Sequence, residues 1–179
     1  MNALALLKAD HDNVDKMFKQ YERMKEGDER KQALCQVIIE ELRVHAQVEE
    51  ELLYPALKTL FEEERPKDVD LIPEANVEHA TVKWLIEQLE SGDQSDEETT
   101  DARVKVLSEY VKHHVQEEEG RIFKAAKRVD LDLDELGALM DARKRQLKGE
   151  APDEDQSGDM SEDGMQINEP AQMAGPVTH

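Results

Sequence analysis

Six side chains occupy positions where a helical pattern calls for leucine or isoleucine. His11 falls between Leu7 and Val14, and His79 between Ile72 and Val82. His45 follows Leu42, with Glu49 four residues on; His114 follows Val111, with Glu118 four residues on. Residues at i and i+4 stack on one helical face, so each His–Glu pair points the same way. Burying such groups bare is unfavourable. A buried polar group without a partner costs a few kcal/mol, and an unpaired carboxylate more. Cations remove the difficulty. Four nitrogen and two oxygen ligands suit two divalent ions with carboxylates between them, and imidazole with carboxylate suits iron, or manganese or zinc.

The pattern is duplicated. His11 to His79 is 68 residues, His45 to His114 is 69, and Glu49 to Glu118 is 69. Local sequence agrees, with His45-Ala-Gln-Val-Glu-Glu-Glu-Leu-Leu-Tyr54 matching His114-Val-Gln-Glu-Glu-Glu-Gly-Arg-Ile-Phe123. Two helical hairpins, each supplying His, His and Glu, predict a symmetric site with one half for each metal. His113 also has a glutamate, Glu117, four residues on. The repeat and the apolar stripe both select His114 and Glu118, because His113 and Glu117 lie about 100° round the helix. Glu50 and Glu119 flank the ligand carboxylates and are expected in solvent or just outside the ligand shell. Tyr21 and Tyr110 are expected on or near the core side as packing residues, with a redox or hydrogen-bonding role close to the site as the alternative. Trp84 lies one position off its stripe.

These residues require helices to hold them. Breaks at Gly27-Asp28, Pro66 to Pro73, Ser91-Gly92-Asp93 and Asp130 to Asp134 predict helices over 3–25, 29–63, 74–90, 97–128 and 134–148. Pro55 lies inside the second and should kink or split it. Apolar stripes follow: Leu7, Val14, Phe18 and Tyr21; Leu34, Ile38, Leu42, Leu52 and Ala56; Ile72, Val82, Ile86 and Leu89; Val104, Leu107, Val111, Ile122 and Ala125. Steps of three and four predict an all-α, up-down-up-down four-helix bundle with a short C-terminal helix.

Composition limits the rest. The chain of 179 residues holds 23 basic and 43 acidic side chains, a net charge of −20, which argues against nucleic acid as a partner. No apolar run approaches the roughly 18 residues of a membrane span, and Met1 to Lys8 lacks the basic start of a signal peptide. The single Cys35 has no internal disulfide partner, which fits a reducing, cytoplasmic setting. Residues 149–179 carry eight acidic residues and no Lys or Arg, with four Gly and three Pro. They are expected to form a disordered acidic tail behind a single domain over 1–148. Solubility is its expected role, with a partner-binding arm as the alternative.

At these residues the chain resembles the hemerythrin-like HHE cation-binding domain family. The matching pieces are His11 in Asp-His-Asp-Asn, His45-x-x-x-Glu49 ahead of Leu-Tyr-Pro55, Glu78-His79, and His114-x-x-x-Glu118 ahead of Ile-Phe123. The resemblance covers about residues 4 to 128. It implies a four-helix bundle around a non-haem di-iron centre bridged by two carboxylates. It also implies activity with dioxygen or a related small molecule: binding or sensing oxygen, reactive oxygen or nitrogen species, or iron. A ferritin-like site is excluded, since its Glu-x-x-His motif would need Glu at Leu42, Asn76 and Val111. The chain departs from the oxygen-carrying members at Ala75, where those have a further His. It departs again at Glu119, where those use an Asp ligand. Fewer nitrogen ligands leave coordination positions open, which favours reaction or sensing over stable carriage. An oxidase or peroxidase enzyme, and an interaction module stapled by its metals, are the competing expectations.

Overall fold

The structure is a computed structural model that describes residues 1–93 and 96–150. Helix α1 spans Ala3–Arg23, and the Asn2 side chain caps it by accepting a hydrogen bond from the Ala5 backbone N–H at 2.9 Å. The chain reverses at Gly27, whose φ of +75° lies in the left-handed region that glycine enters without penalty. Helix α2 covers Arg30–Val48, a π-helical turn follows over Glu49–Leu53, and α3 continues over Tyr54–Glu64. After a short 3-10 turn, α4 runs over Leu71–Ser91 and α5 over Glu97–Glu117. A second π-helical turn occupies Glu118–Ile122, followed by α6 over Phe123–Ala126 and α7 over Leu133–Leu147. α1, α2–α3, α4 and α5–α6 form the four rods. No helix among the described residues is long and apolar enough to cross a membrane.

The π turns correct the expected register. In each, a backbone carbonyl bonds five residues ahead: Glu49 accepts from the Tyr54 N–H, and Glu118 from the Phe123 N–H. One extra residue advances the helix face by about 100°. The stripe expected through Leu52 and Ala56 therefore shifts to Leu53 and Leu57, both fully buried, and leaves Leu52 and Ala56 half-buried. Pro55 does follow the split it was expected to cause. The second hairpin makes the same π turn with Lys124 at the matching position, so proline is not its requirement. The loop expected up to Pro73 is shorter than predicted. α4 starts at Leu71 with Pro73 in its first turn, where a missing N–H leaves no helical bond unmade.

The core has two apolar clusters with the polar layer between them. One end packs Leu7, Val48, Leu53, Leu57, Phe61, Ile72, Ile122 and Phe123; the other packs Val14, Phe18, Ile38, Leu42, Val82, Ile86, Leu107 and Val111. The fifth helix of the sequence pattern, α7, closes the first cluster, with Leu136 and Met140 buried in it. Its close approach to α1 depends on Gly137. A Cβ there would lie 2.4 Å from the Met1 carbonyl and 2.6 Å from the Ala3 nitrogen. Gly149 and Glu150, expected in the tail, close the end of α7 through bonds to Gln146 and Arg145. The rest of the acidic segment, residues 151–179, lies outside the described residues.

Candidate metal centre

The structure brings all six sequence candidates to one layer. His11 comes from α1, His45 from α2, His79 from α4 and His114 from α5, while Glu49 and Glu118 open the two π turns. All six are buried, and the two glutamates are completely so. The Nε2 atoms of His11 and His45 face each other at 3.2 Å, and those of His79 and His114 at 3.1 Å. Glu49 lies between the pairs, with Oε1 at 3.3 Å from His45 Nε2 and Oε2 at 3.3 Å from His79 Nε2. Glu118 Oε2 lies 3.2 Å from His11 Nε2. Two groups result, His11–His45–Glu49–Glu118 and Glu49–His79–His114, each with ligand atoms within 4.8 Å of one another.

Every imidazole is anchored on its outer nitrogen. His11 Nδ1 meets Glu119 at 2.9 Å, His45 Nδ1 meets Asp10 at 3.3 Å, His79 Nδ1 meets Glu50 at 2.9 Å, and His114 Nδ1 meets Glu78 at 2.8 Å. These contacts repeat the duplication of the chain. Asp10 and Glu78 precede a site His on the same hairpin; Glu50 and Glu119 reach across to the other hairpin. A carboxylate on Nδ1 fixes the tautomer that turns the Nε2 lone pair inward. Lys144, Lys83 and Lys8 in turn hold Asp10, Glu50 and Glu119. His113 points away from the centre, its side chain 64% exposed beside Glu78.

The charges explain what such a site lacks. Burial pushes the Glu49 carboxyl well above the usual carboxylate range, and the charge of Glu118 pushes it further. Burial acts on Glu118 too, but contact with His11 and the neighbouring imidazoles outweigh it and hold it at about 2. Burial opposes charge on His11, yet Glu118, Glu49 and Glu119 together raise it to about 9. Burial lowers His45 to about 4 despite Asp10. Without a cation, a proton on His11 is the positive charge that faces the two buried carboxyls. Glu49 Oε1 and Glu118 Oε2 are buried without a well-formed hydrogen bond among the described residues. Converging lone pairs, orphaned carboxylate oxygens and anchored tautomers fit a pair of cations.

The two halves differ at one position. The Tyr54 hydroxyl lies 3.4 Å from Glu49 Oε2, 3.3 Å from Glu118 Oε1 and 3.4 Å from His79 Nε2. Its counterpart Phe123 stacks on His11 with ring centroids 6.0 Å apart. Tyr54 entered the sequence comparison only as a marker of register; the Tyr/Phe mismatch in the repeat was the signal of asymmetry. Neither Tyr21 nor Tyr110 neighbours the site; Tyr21 packs in the core as expected, and Tyr110 does not. Tyr21 donates to Asp101 at 2.8 Å in the far cluster, and Tyr110 is 48% exposed, because its position faces outward on α5. Above the imidazoles is a cavity of about 30 Å³, whose apolar walls are Val14, Leu42, Ala46, Val82, Val111 and Val115. That is room for one very small molecule.

Comparison with known proteins decides the family, since the hemerythrin HHE cation-binding domain model matches residues 2–126. The chain belongs to the hemerythrin HHE cation-binding domain family. A crystal structure of an HHE cation-binding domain-containing protein from Mycobacterium kansasii superposes with a TM-score of 0.71 at 28% identity, covering 83% of this chain and 88% of that one. A protein named DNA nickase from Nostoc is 29% identical over 125 residues, 70% of this chain. The chain spans 33% of that relative's length. Membership gives the HHE chain a cation-binding role.

Proposed function

We propose that the cations are two iron ions held by His11, His45, Glu49, His79, His114 and Glu118, with Glu49 shared by both halves. The centre binds or senses dioxygen, a reactive oxygen or nitrogen species, or iron itself. The observation that carries this reading is the small apolar cavity set directly over four inward-facing imidazole nitrogens. A volume of about 30 Å³ suits a very small molecule. Ala75, one turn before His79, is buried without a ligand atom, so the site offers four imidazoles and leaves coordination positions open. When bound, iron supplies reversible one-electron chemistry at those positions. The protein's own residues supply orientation through Asp10, Glu50, Glu78 and Glu119, and apolar walls beside the imidazoles.

Manganese or zinc satisfies the same donors. Metal analysis of protein purified without chelator, with visible spectra in air and under dithionite, separates them. Iron at about two per chain and bands that change with oxidation state support the proposal; zinc alone, with iron rejected, defeats it. An oxidase or peroxidase is the second reading, favoured by the Tyr54 hydroxyl in contact with both carboxylates. Turnover that stays linear over many cycles would establish it, and a single stoichiometric burst would exclude it. The lone buried Cys35 and the charge of −20 support a cytoplasmic protein with a small-molecule rather than nucleic-acid ligand.

A further inference from the structure

α7 lies in the outer groove between α1 and α2. Gly137 sits against Met1 to Ala3, Lys144 pairs with Asp10, and Lys148 pairs with Glu41 at 2.6 Å. The helix thus runs parallel to α1, and the chain leaves it part-way along the groove. The groove itself continues. Gln20 and Met24 extend the α1 stripe of Ala3, Leu6 and Asp10, and Arg30 and Leu34 extend the α2 stripe of Glu41. This open stretch is lined by Lys16, Lys19, Arg23, Lys25, Arg30 and Leu34, with Asp28 its one acidic lining residue. Lys19 and Arg30 have partners in Asp15 and Asp28, whereas Lys16, Arg23 and Lys25 make no ion pair among the described residues. Five cations on one groove are out of keeping with a chain of net charge −20.

The segment beyond residue 150 has the complementary chemistry. It carries Asp153, Glu154, Asp155, Asp159, Glu162, Asp163 and Glu169, with no Lys or Arg. Reach is adequate. From the level of Asp10, the groove residues Lys16 to Met24 lie about 9–21 Å along α1 at about 1.5 Å per residue. An extended chain covers that in about six residues at about 3.3 Å each. We infer that the acidic segment starting at Asp153 docks in the basic α1–α2 groove of its own chain, continuing the track of α7. Docked there, it straps together the two helices that carry His11 and His45. The contacts are exposed ion pairs, so the strap weakens as salt screens them.

Carbodiimide cross-linking of the full chain, read by mass spectrometry, tests this. Zero-length links are expected between Lys16, Lys19 or Lys25 and carboxylates of residues 153–159, several-fold above links to Lys105, Lys112 or Lys127. They should fall several-fold in 0.5 M salt and in the Arg23→Glu/Arg30→Glu variant, which leaves the reacting lysines and the core intact. Even labelling of all lysines would overturn the inference. So would links between light and heavy chains in an isotope-mixed sample, which would make a second copy the occupant. Tight binding of a DNA duplex by the full chain, with no tail links, would assign the groove to nucleic acid and equally overturn it.

Discussion

Replacing Glu49 by leucine should reverse in sign when metal is added. Glu49 is fully buried, its Oε1 lacks a hydrogen bond, and it faces a second buried carboxylate. In the metal-free protein Glu118 is balanced by the His11 proton and keeps the Tyr54 hydroxyl at 3.3 Å, so Glu49 is the surplus group. An unsatisfied buried polar atom costs about 1–3 kcal/mol, and substituting apolar side chains for buried ionic groups is often stabilising by about 1–4 kcal/mol. Leucine is close to glutamate in volume, so the cavity left is small. Metal-free Glu49→Leu should gain on the order of 2 kcal/mol, about 6 °C in Tm for a domain of this size. With cations the order inverts. Ligands bound only by the folded state add about 4 kcal/mol at a thousandfold excess over Kd, and the variant forfeits most of that. Thermal unfolding of both proteins after chelator treatment and after iron loading gives all four values. If the metal-free variant unfolds well below the metal-free parent, Glu49 is a structural buried group and the reasoning fails.

Other outcomes follow from the same geometry. His45→Ala and His114→Ala should each lose metal, while His113→Ala keeps it, since the His113 side chain is 64% exposed; equal loss in all three, by elemental analysis, would place the ligand shell wrongly. At pH 7 the metal-free site holds a proton on His11, raised to about 9 by Glu118, Glu49 and Glu119. That proton must leave when cations enter, so loading should release protons and affinity should rise with pH below about 9; a pH indicator showing no release contradicts this. His45, lowered to about 4, is already neutral and contributes none. Tyr54→Phe should retain the metal content, make the halves alike as at Phe123, and alter the visible spectrum; an unaltered spectrum would remove Tyr54 from the centre.

Much of the bundle was legible because its determinants are local. Apolar steps of three and four mark the four rods, and Gly27 and Ser91-Gly92 mark their ends. The six site candidates were legible because polar groups interrupted those stripes twice at one spacing. The π turns were not, since a five-residue backbone bond leaves no composition signature, and Leu53 and Leu57 were consequently missed for Leu52 and Ala56. The anchoring roles of Asp10 and Glu78 were equally hidden. Each adjoins a site His in sequence but serves the His of the neighbouring helix, a pairing set by rod-to-rod packing. Tyr21 packs in the core as its stripe position implied, but far from the site, because a stripe gives the face of a helix and not the height along it; Tyr110, expected near the core side, faces outward.

Iron K-edge X-ray absorption on the loaded protein tests the central claim most directly. Two ions sharing buried carboxylates should show an iron–iron distance of about 3.5–4 Å, with imidazole scattering at each iron and about two irons per chain. A spectrum with no iron–iron contribution, at one iron per chain, would contradict the paired centre.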